Sequence, residues 1–306
     1  MKVYYNLEDF EGVRNPVVTT GTFDGVHIGH QTIIKRLEEI ARKENGETVL
    51  LTFFPHPRMV LYPNDKSLKL INTQEEKIEL LEKYGIDHLI ILPFTKEFSR
   101  LSSIDYIRNI LVKKIGTKKL IIGYNHHFGR NREGSFEHLK EFAPVYGFDV
   151  EEIPAQDVDH INVSSTKIRN ALLEGDIKTA NNYLGHPYSL RGTVVEGKKI
   201  GRDLGYPTAN IQIQEDYKLI PEVGVYAVDV IYNEERQKGM LSIGFNPTLG
   251  NNPLSIEVNI FNFNKDIYGQ KLIILFKGRM RDELKFENLA QLKEQLDKDQ
   301  ELAKSL

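Results

Sequence analysis

The sequence predicts two folds in one chain: an α/β domain with a doubly wound parallel sheet, then a mainly β domain with a small antiparallel barrel and a C-terminal helix. Along the first half, strand-like apolar runs alternate with segments of helical periodicity. Along the second half, short runs rich in Val, Ile, Tyr and Thr follow one another, separated by Gly- and Asn-rich turns and no helix. A length of 306 residues also favours two domains over one.

The first half consists of repeated strand–helix units. The expected elements, in chain order, are strand 17–20, a helix from 33 up to Gly46, strand 49–54, helix 73–85, strand 89–92, helix 103–115 and strand 120–122. The run 49–54 is apolar throughout, which is typical of a strand buried on both faces. Thr73 and Glu76 form a capping box that starts one helix, and Gly85 ends it. Such units imply a parallel sheet that binds ligands beyond the carboxyl ends of its strands.

From Tyr188 onward the pattern changes to short β-strands. The expected strands are 190–195, 208–213, 225–232, 240–245, 254–261 and 271–276. A charged, amphipathic stretch between Leu284 and Leu296 then predicts a closing helix. The change of pattern places the domain boundary near Leu184, so the expected domains are residues 1–184 and 185–306.

Composition excludes several classes of protein. A net charge of −3 gives no basic surface for nucleic acid or an anionic membrane. The chain has no cysteine, which excludes disulfides, thiolate zinc sites and a cysteine nucleophile. It shows neither a signal-peptide pattern nor an apolar run of membrane length, so we expect a cytoplasmic protein. Assembly into a homo-oligomer is left open by the sequence.

The segment GTFDGVHIGH, residues 21–30, is the most informative part of the chain. It follows a strand and leads into a helix, so His27 and His30 lie at a strand-to-helix turn. Backbone N–H groups and the helix dipole attract phosphate there, and two imidazoles one helical turn apart add donors on the same side. Gly29 has no side chain to keep a nucleotide from the backbone. A metal pair or a polar helix start are alternatives, but the context favours a nucleoside triphosphate attacked at its α-phosphate.

A second anion site is predicted at SSTKIR, residues 164–169. Ser164, Ser165 and Thr166 place three hydroxyls at the start of a helix. Lys and Arg in the first turn are poorly placed beside the positive end of a helix dipole unless an anion compensates. The alternative is an ordinary serine N-cap, which the basic residues make less attractive.

The second half holds its own candidate site in GRDLGYPTAN, residues 201–210. Pro207 precedes a strand on which Thr208 and Asn210 project from one face, where a hydroxyl and an amide oxygen can hold Mg²⁺ and its phosphates. Glu257 shares a strand face with Asn259 and is either solvent-facing or a buried catalytic base.

A glycine-rich segment at 192–199 comes close to a Walker A loop but is not one. Lys199 stands where the motif has Ser or Thr, and the flanks predict strand–turn–strand instead of strand–loop–helix. The turn from Gly197 to Gly201 still has amides and lysines that can cover a nucleotide.

Taken together, these motifs resemble the bacterial bifunctional riboflavin kinase/FAD synthetase family over nearly the whole chain. GTFDGVHIGH and SSTKIR look like its adenylyltransferase signatures, and GRDLGYPTAN with SIEVNIFNFNKDIYG looks like its riboflavin kinase signatures. The resemblance implies a Rossmann-like nucleotidyltransferase domain followed by a riboflavin kinase barrel.

The resemblance also implies roles for individual residues. The catalytic residues would be His27, His30, Arg169 and Glu257. ATP would be bound by Gly21, Phe23, Asp24, Gly29, Ser164, Ser165, Thr166, Gly197, Lys199, Gly201, Thr208 and Asn210. Flavin would be bound by Asn125 and Arg279, and Mg²⁺ by Thr208 and Asn210. The chain departs from the family at Phe54, where Glu is frequent, at His126, where Phe is frequent, and at Asn259, where His is common.

The implied activity is synthesis of FAD in two steps. ATP would phosphorylate riboflavin to FMN in the second domain, and FMN would attack the α-phosphate of a second ATP in the first, giving FAD and pyrophosphate. Rival interpretations are a class I aminoacyl-tRNA synthetase, which shares the letters HIGH, another H-x-G-H nucleotidyltransferase, and a flavin sensor without catalysis. The acidic balance and the missing KMSKS-like segment disfavour the synthetase. GRDLGYPTAN disfavours a single-activity adenylyltransferase, and the intact candidate catalytic residues disfavour the sensor.

Overall fold

The computed structural model describes residues 1–124, 126–154, 163–197, 205–245 and 254–306. The chain forms two compact units, Met1–Ser165 and Thr166–Leu306. This division falls earlier than the boundary near Leu184 suggested by the sequence pattern. The assignment of functional domains to 1–184 and 185–306 stays a prediction.

The first unit is built on a six-stranded sheet in which every pairing is parallel, in the order β1-β4-β3-β2-β5-β6. The strands are β1 (Lys2–Tyr4), β2 (Val17–Thr20), β3 (Thr48–Phe54), β4 (His88–Pro93), β5 (Lys119–Gly123) and β6 (Asp149–Ile153). β2 and β3 lie in the middle and are almost wholly buried. The predicted doubly wound sheet is confirmed.

Helices cover both faces of this sheet. They are α1 (Ile28–Lys43), α2 (Pro57–Leu61), α3 (Gln74–Lys83), α4 (Ser103–Asp105), which continues as a π-helix (Tyr106–Val112), and α5 (Phe136–Tyr146). One apolar cluster packs α1 and α3 on one face through residues such as Leu37 and Leu81. A second packs the π-helix and α5 on the other face through Ile107 and Leu139. The predicted capping box of Thr73 and Glu76 is present at the start of α3.

The second unit contains a closed antiparallel barrel with strand order β10-β11-β8-β7-β12-β9. The strands are β7 (Ser189–Val195), β8 (Ala209–Gln212), β9 (Gly224–Tyr232), β10 (Glu235–Phe245), β11 (Leu254–Ile260) and β12 (Lys271–Arg281). The closing helix, Leu289–Ser305, packs on the barrel through Leu296 and Ala303. The predicted barrel and helix are confirmed.

Two further helices precede the barrel, Ser165–Leu173 and Ile177–Leu184. In the second one, Asn181 donates from its side-chain amide to the Phe276 carbonyl of β12 at 2.9 Å and accepts from the Tyr188 N–H at 2.7 Å. The Leu172 carbonyl accepts from the Glu222 N–H at 3.0 Å. The end of the first helix and the whole of the second therefore belong structurally with the barrel.

Candidate functional sites

The turn between β2 and α1 gives the first site its shape. Phe23, Gly25 and Val26 have positive φ angles of 49°, 89° and 41°. Left-handed backbone is rare for residues with side chains and especially costly for a β-branched one, so this turn is strained. The left-handed conformations make the turn tight, and His27 follows it as the N-cap of α1.

His27 and His30 come together at the start of α1. Their rings stack with centroids 3.7 Å apart and planes 16° from parallel, and the His30 N–H donates to His27 Nδ1 at 3.4 Å. Phe23 packs against His30 at 4.7 Å between ring centroids. Both imidazoles thus lie on one side of the N-terminus of α1, the end of a helix towards which its first backbone N–H groups point.

Burial of His30 determines the charge on its ring. Burial, helped by the neighbouring His27 and Lys77, holds the pKa of His30 well below its usual value near 6.5. His30 is therefore neutral at physiological pH. Its Nδ1 atom is buried without a hydrogen-bond partner. Such an atom is costly to leave unmatched, which points to a polar ligand at this position.

Beneath the turn lies a buried polar network. The Asp24 carboxylate, 2% exposed, accepts hydrogen bonds from the Ile71 N–H at 3.0 Å and the Asn72 N–H at 3.3 Å. Lys77, 5% exposed, donates from Nζ to the Thr22 carbonyl at 3.1 Å. Burial lowers the pKa of Lys77 to about 8, although Asp24 opposes the shift.

The SSTKIR segment begins beside the same turn. Ser165, the last residue of the first unit, donates from Oγ to the Asp24 carbonyl at 2.9 Å. Ser164 is half-buried just before the helix, and Thr166 is exposed in its first turn. Arg169 is half-buried one turn further along that helix.

The second site is assembled on barrel strands. Thr208, just before β8, donates from Oγ1 to Glu257 Oε2 at 3.1 Å. Glu257 lies opposite Asn210 in the pairing of β11 with β8. Gly197 lies against Asn210, and a Cβ on Gly197 would overlap the Asn210 amide. The structure therefore brings together four residues that the sequence assigned to one site.

Asn259 and Tyr206 hold the approach to this site. Asn259, 6% exposed, donates from Nδ2 to the Pro207 carbonyl at 2.7 Å. Tyr206 donates from its hydroxyl to Asp297 of the closing helix. These contacts fix the backbone on both sides of the turn that presents Thr208. Asn259 therefore makes a contact that positions the turn.

A cavity of about 360 Å³ opens beside Thr208. Pro207 and Ala209 line it on one side, and the segment from Phe263 to Tyr268 lines it on the other. That segment belongs to SIEVNIFNFNKDIYG, which the sequence associated with the same activity as GRDLGYPTAN. The two motifs share one concave surface, as expected for a small-molecule site.

Other candidate residues stand apart or lie outside the described ranges. Arg279 donates to the Val223 carbonyl and pairs with Asp282, each at 2.7 Å, and packs against Gly175 and Gly224. No contact among the described residues joins Arg279 to Thr208 or Glu257, and its flavin-binding role stays a prediction. Asn125, Lys199 and Gly201 lie outside the described residues.

Gly21 and Gly29 lie near His27 and His30, and their role in ATP binding stays a prediction. The Gly21 N–H donates to the Leu51 carbonyl at 3.0 Å, and a Cβ on Gly21 would lie 3.1 Å from the Phe23 ring. Gly29 is buried in the first turn of α1. Sequence reasoning missed Lys77, although its spacing from Leu81 and Tyr84 places it on the apolar face of α3, where a lysine is unusual.

Comparison with known protein families gives a separate match for each half of the chain. The family model of FAD synthetase matches residues 10–167, and the family model of riboflavin kinase matches residues 184–306. The chain belongs to the bifunctional riboflavin kinase/FMN adenylyltransferase family. The family member from Listeria monocytogenes is 41% identical over 94% of this chain and 91% of its own length. The member from Buchnera aphidicola subsp. Schizaphis graminum is 38% identical, over 99% and 98% respectively.

A solved structure also matches along the full length. A crystal structure described as a macrolide-efflux protein from Streptococcus pneumoniae is 33% identical, with a TM-score of 0.91 over 100% of this chain and 99% of that one. Both units of the fold are thus found together in a solved structure. Within the described ranges, no helix combines the length and the apolar character needed to cross a membrane.

Membership of this family establishes the two activities. The chain is an enzyme that phosphorylates riboflavin to FMN with ATP and then adenylylates FMN with a second ATP to give FAD and pyrophosphate. Both reactions expected from the sequence are confirmed, and the aminoacyl-tRNA synthetase and non-catalytic sensor interpretations are wrong.

Proposed function

We propose that FMN adenylylation takes place at the His27–His30 site. The stacked imidazoles at the N-terminus of α1 carry this assignment, because N–H donors and a helix dipole converge there on one side. A neutral His30 donates a hydrogen bond to a phosphate oxygen without needing a proton from solution. As FMN attacks the α-phosphate, these donors stabilise the charge that develops on the transferring group and on pyrophosphate.

The hydroxyls of Ser164, Ser165 and Thr166 and the guanidinium of Arg169 complete the phosphate contacts in this proposal. The bond between Ser165 and the Asp24 carbonyl supports it for the start of the SSTKIR helix. Asn125 is proposed to contact the flavin.

Riboflavin phosphorylation is proposed for the site of Thr208, Asn210 and Glu257. The hydrogen bond from Thr208 to Glu257 orients the carboxylate, which takes the proton from the ribityl hydroxyl as that oxygen attacks the γ-phosphate of ATP. Gly197, Lys199 and Gly201 are proposed to cover the nucleotide, and Arg279 to contact the flavin.

We also propose that Mg²⁺ serves both reactions. In the second site the hydroxyl of Thr208, just before β8, and the amide oxygen of Asn210, two residues further along, are hard oxygen donors, which fits Mg²⁺. The ion would neutralise charge on the phosphates of ATP. A cytoplasmic location is proposed because both steps consume ATP.

Two histidine variants test the assignment of the first site. In His27→Ala and in His30→Ala we expect FMN adenylylation to slow by about 10²–10³-fold, because one oriented donor to the developing charge is lost. Riboflavin phosphorylation should be unchanged, so FMN accumulates without FAD when riboflavin and MgATP are supplied and the flavins are separated by chromatography. Normal FAD output from both variants would remove the histidines from the mechanism.

A further inference from the structure

Lys77 is a buried lysine behind the nucleotide-binding turn. It lies on the inner face of α3, between the buried residues Glu76 and Leu81, and only 5% of it is exposed. Lysine is rarely buried to this extent, because taking an ammonium group out of water costs free energy unless it is matched. A residue retained at such a cost requires an explanation beyond packing.

The surroundings of Lys77 connect it to the first site. Its ammonium donates to the Thr22 carbonyl, inside the turn that delivers His27. Asp24 is its acidic neighbour, and His30 is close enough that the positive charge of Lys77 lowers the imidazole pKa. The lysine therefore acts electrostatically on the histidine pair.

A hydrogen bond alone does not explain the residue. The Thr22 carbonyl already accepts from Thr52 Oγ1 at 3.2 Å, so it would stay satisfied without Lys77. A neutral side chain could also donate to that carbonyl at a lower desolvation cost. What only a basic residue supplies here is a positive charge.

We propose that Lys77 is a positioning residue of FMN adenylylation: its ammonium fixes the Thr22 carbonyl and holds a buried positive charge behind the turn that receives the triphosphate of ATP. This inference rests on the proposed assignment of adenylylation to the His27–His30 site. The charge attracts the phosphates through a low-dielectric medium, where screening is weak. The carboxylate of Asp24 is held by hydrogen bonds from the Ile71 and Asn72 N–H groups. It therefore balances part of the charge of Lys77 from a fixed position.

Three substitutions separate charge, hydrogen bond and packing. Lys77→Met removes the charge and the donor, Lys77→Gln keeps a donor without charge, and Lys77→Arg keeps both. Lys83→Gln is the matched control, because Lys83 is exposed on the same helix. For each full-length variant we would measure kcat and KM for ATP in FMN adenylylation, riboflavin kinase activity in the same preparation, and the melting temperature.

We expect kcat/KM for ATP in adenylylation to fall about 10-fold to 100-fold in Lys77→Met and Lys77→Gln. Lys77→Arg should stay within about threefold of the parent chain, because it keeps the charge. Kinase activity should be unchanged in all variants. We expect the melting temperatures of Lys77→Met and Lys77→Gln to fall by similar amounts, because both variants leave the buried carboxylate of Asp24 without its neighbouring positive charge.

Two results would overturn the inference. Unchanged adenylylation in Lys77→Met and Lys77→Gln would show that the charge does not matter. A lower melting temperature in Lys77→Met, with both rate and stability restored in Lys77→Gln, would show a structural hydrogen bond only. His30→Ala, assayed in parallel, distinguishes failure of the site assignment from failure of the proposed role of Lys77. If His30→Ala keeps its full adenylylation rate, the site assignment is wrong, whereas slow His30→Ala with normal Lys77 variants refutes only the role of Lys77.

Discussion

The two sites of this enzyme are constructed in opposite ways. The proposed adenylylation site is concentrated in one turn, in which Phe23 and Val26 adopt left-handed backbone conformations and His27 caps α1. The proposed kinase site is distributed over the barrel, where strand pairing places Glu257 opposite Asn210. A local motif can therefore specify the first site, whereas the second depends on the register of several strands.

The cost of holding each site also differs. Each left-handed non-glycine residue in the first turn costs about 1–3 kcal/mol, and the buried network of Asp24 and Lys77 must stabilise the turn against this strain. In the kinase site the strands have extended backbone, and ordinary sheet hydrogen bonds hold them in place. We therefore expect substitutions of residues that support the first turn, such as Lys77, to lower the rate of adenylylation. In the kinase, we expect large effects mainly from substitutions of the site residues themselves, such as Glu257.

Glu257→Gln should have the largest effect and tests the kinase half of the comparison. The substitution keeps the shape of the side chain and removes the carboxylate that we propose accepts the proton of the ribityl hydroxyl. General-base catalysis contributes about 10²–10⁴-fold, so we expect kcat of riboflavin phosphorylation to fall within that range. The riboflavin affinity should change little, and supplied FMN should still be converted to FAD.

If Glu257 were only a solvent-exposed strand residue, a different result would follow. Glu257→Gln would change the free energy of unfolding by no more than about 0.5 kcal/mol and would leave the kinase rate unchanged. Wild-type kinase turnover in Glu257→Gln would leave Thr208, Asn210 and Mg²⁺ to carry the reaction. The measurement is the steady-state rate of FMN formation from riboflavin, with Ser255→Ala on the same strand face as the control.

The sequence was most informative where local rules apply. Apolar periodicity found α1, the capping box found α3, and alternating short runs found the barrel strands. β1 was missed because three residues carry too little pattern, and α5 because Pro144 lies within it. The predicted helix at 103–115 is largely a π-helix, a difference in hydrogen bonding that apolar spacing does not reveal.

The candidate sites show the same division. His27 and His30 were predicted to share one side, and the ring stacking agrees, because residues three apart at the start of a helix are neighbours on its surface. The contact of Asn259 with Pro207 joins residues far apart in the chain, so no local pattern encodes it. Burial of Lys77 against Thr22 is likewise a tertiary contact, visible in the sequence only as a lysine on an apolar helix face.

The next largest effect is expected on the stability of the first unit, which should depend on pH through His126. His126 stacks on Phe128 with ring centroids 5.9 Å apart, its Nε2 atom is buried without a partner, and burial lowers its pKa to about 4. The unfolded chain has an ordinary histidine pKa near 6.5. Between pH 6.5 and 4 the unfolded state thus binds the extra proton, and the first unit loses stability as pH falls, by about 3 kcal/mol in total.

Replacing His126 with phenylalanine, which carries no titratable group, should remove this loss of stability. In His126→Phe we expect the unfolding transition of the first unit to be less sensitive to pH between 6.5 and 4 than in the parent chain. His127→Phe, at the exposed neighbouring position, is the control. The free energy of unfolding of the first unit would be measured by denaturant titration at several pH values. The same pH dependence in the parent chain and in His126→Phe would contradict a neutral His126 in the folded state.

The smallest effect is expected when the kinase unit is cut out of the chain, and it tests how far the two halves are independent. We compare the fragment 166–306, the compact unit of the structure, with 185–306, the domain expected from the sequence. Thr208, Asn210 and Glu257 all lie in the barrel unit, so both fragments should phosphorylate riboflavin at similar rates.

The two fragments should differ in stability. The shorter fragment, 185–306, lacks Asn181, whose side-chain amide forms hydrogen bonds with the backbone of Phe276 and Tyr188. Each backbone group left without its partner costs about 1–3 kcal/mol if it stays buried, so 185–306 should melt at a lower temperature. Asn181→Ala in the longer fragment should reproduce part of that loss. Equal melting temperatures would show that the preceding helices contribute nothing to the barrel, and an inactive 166–306 would show that the kinase depends on the first unit.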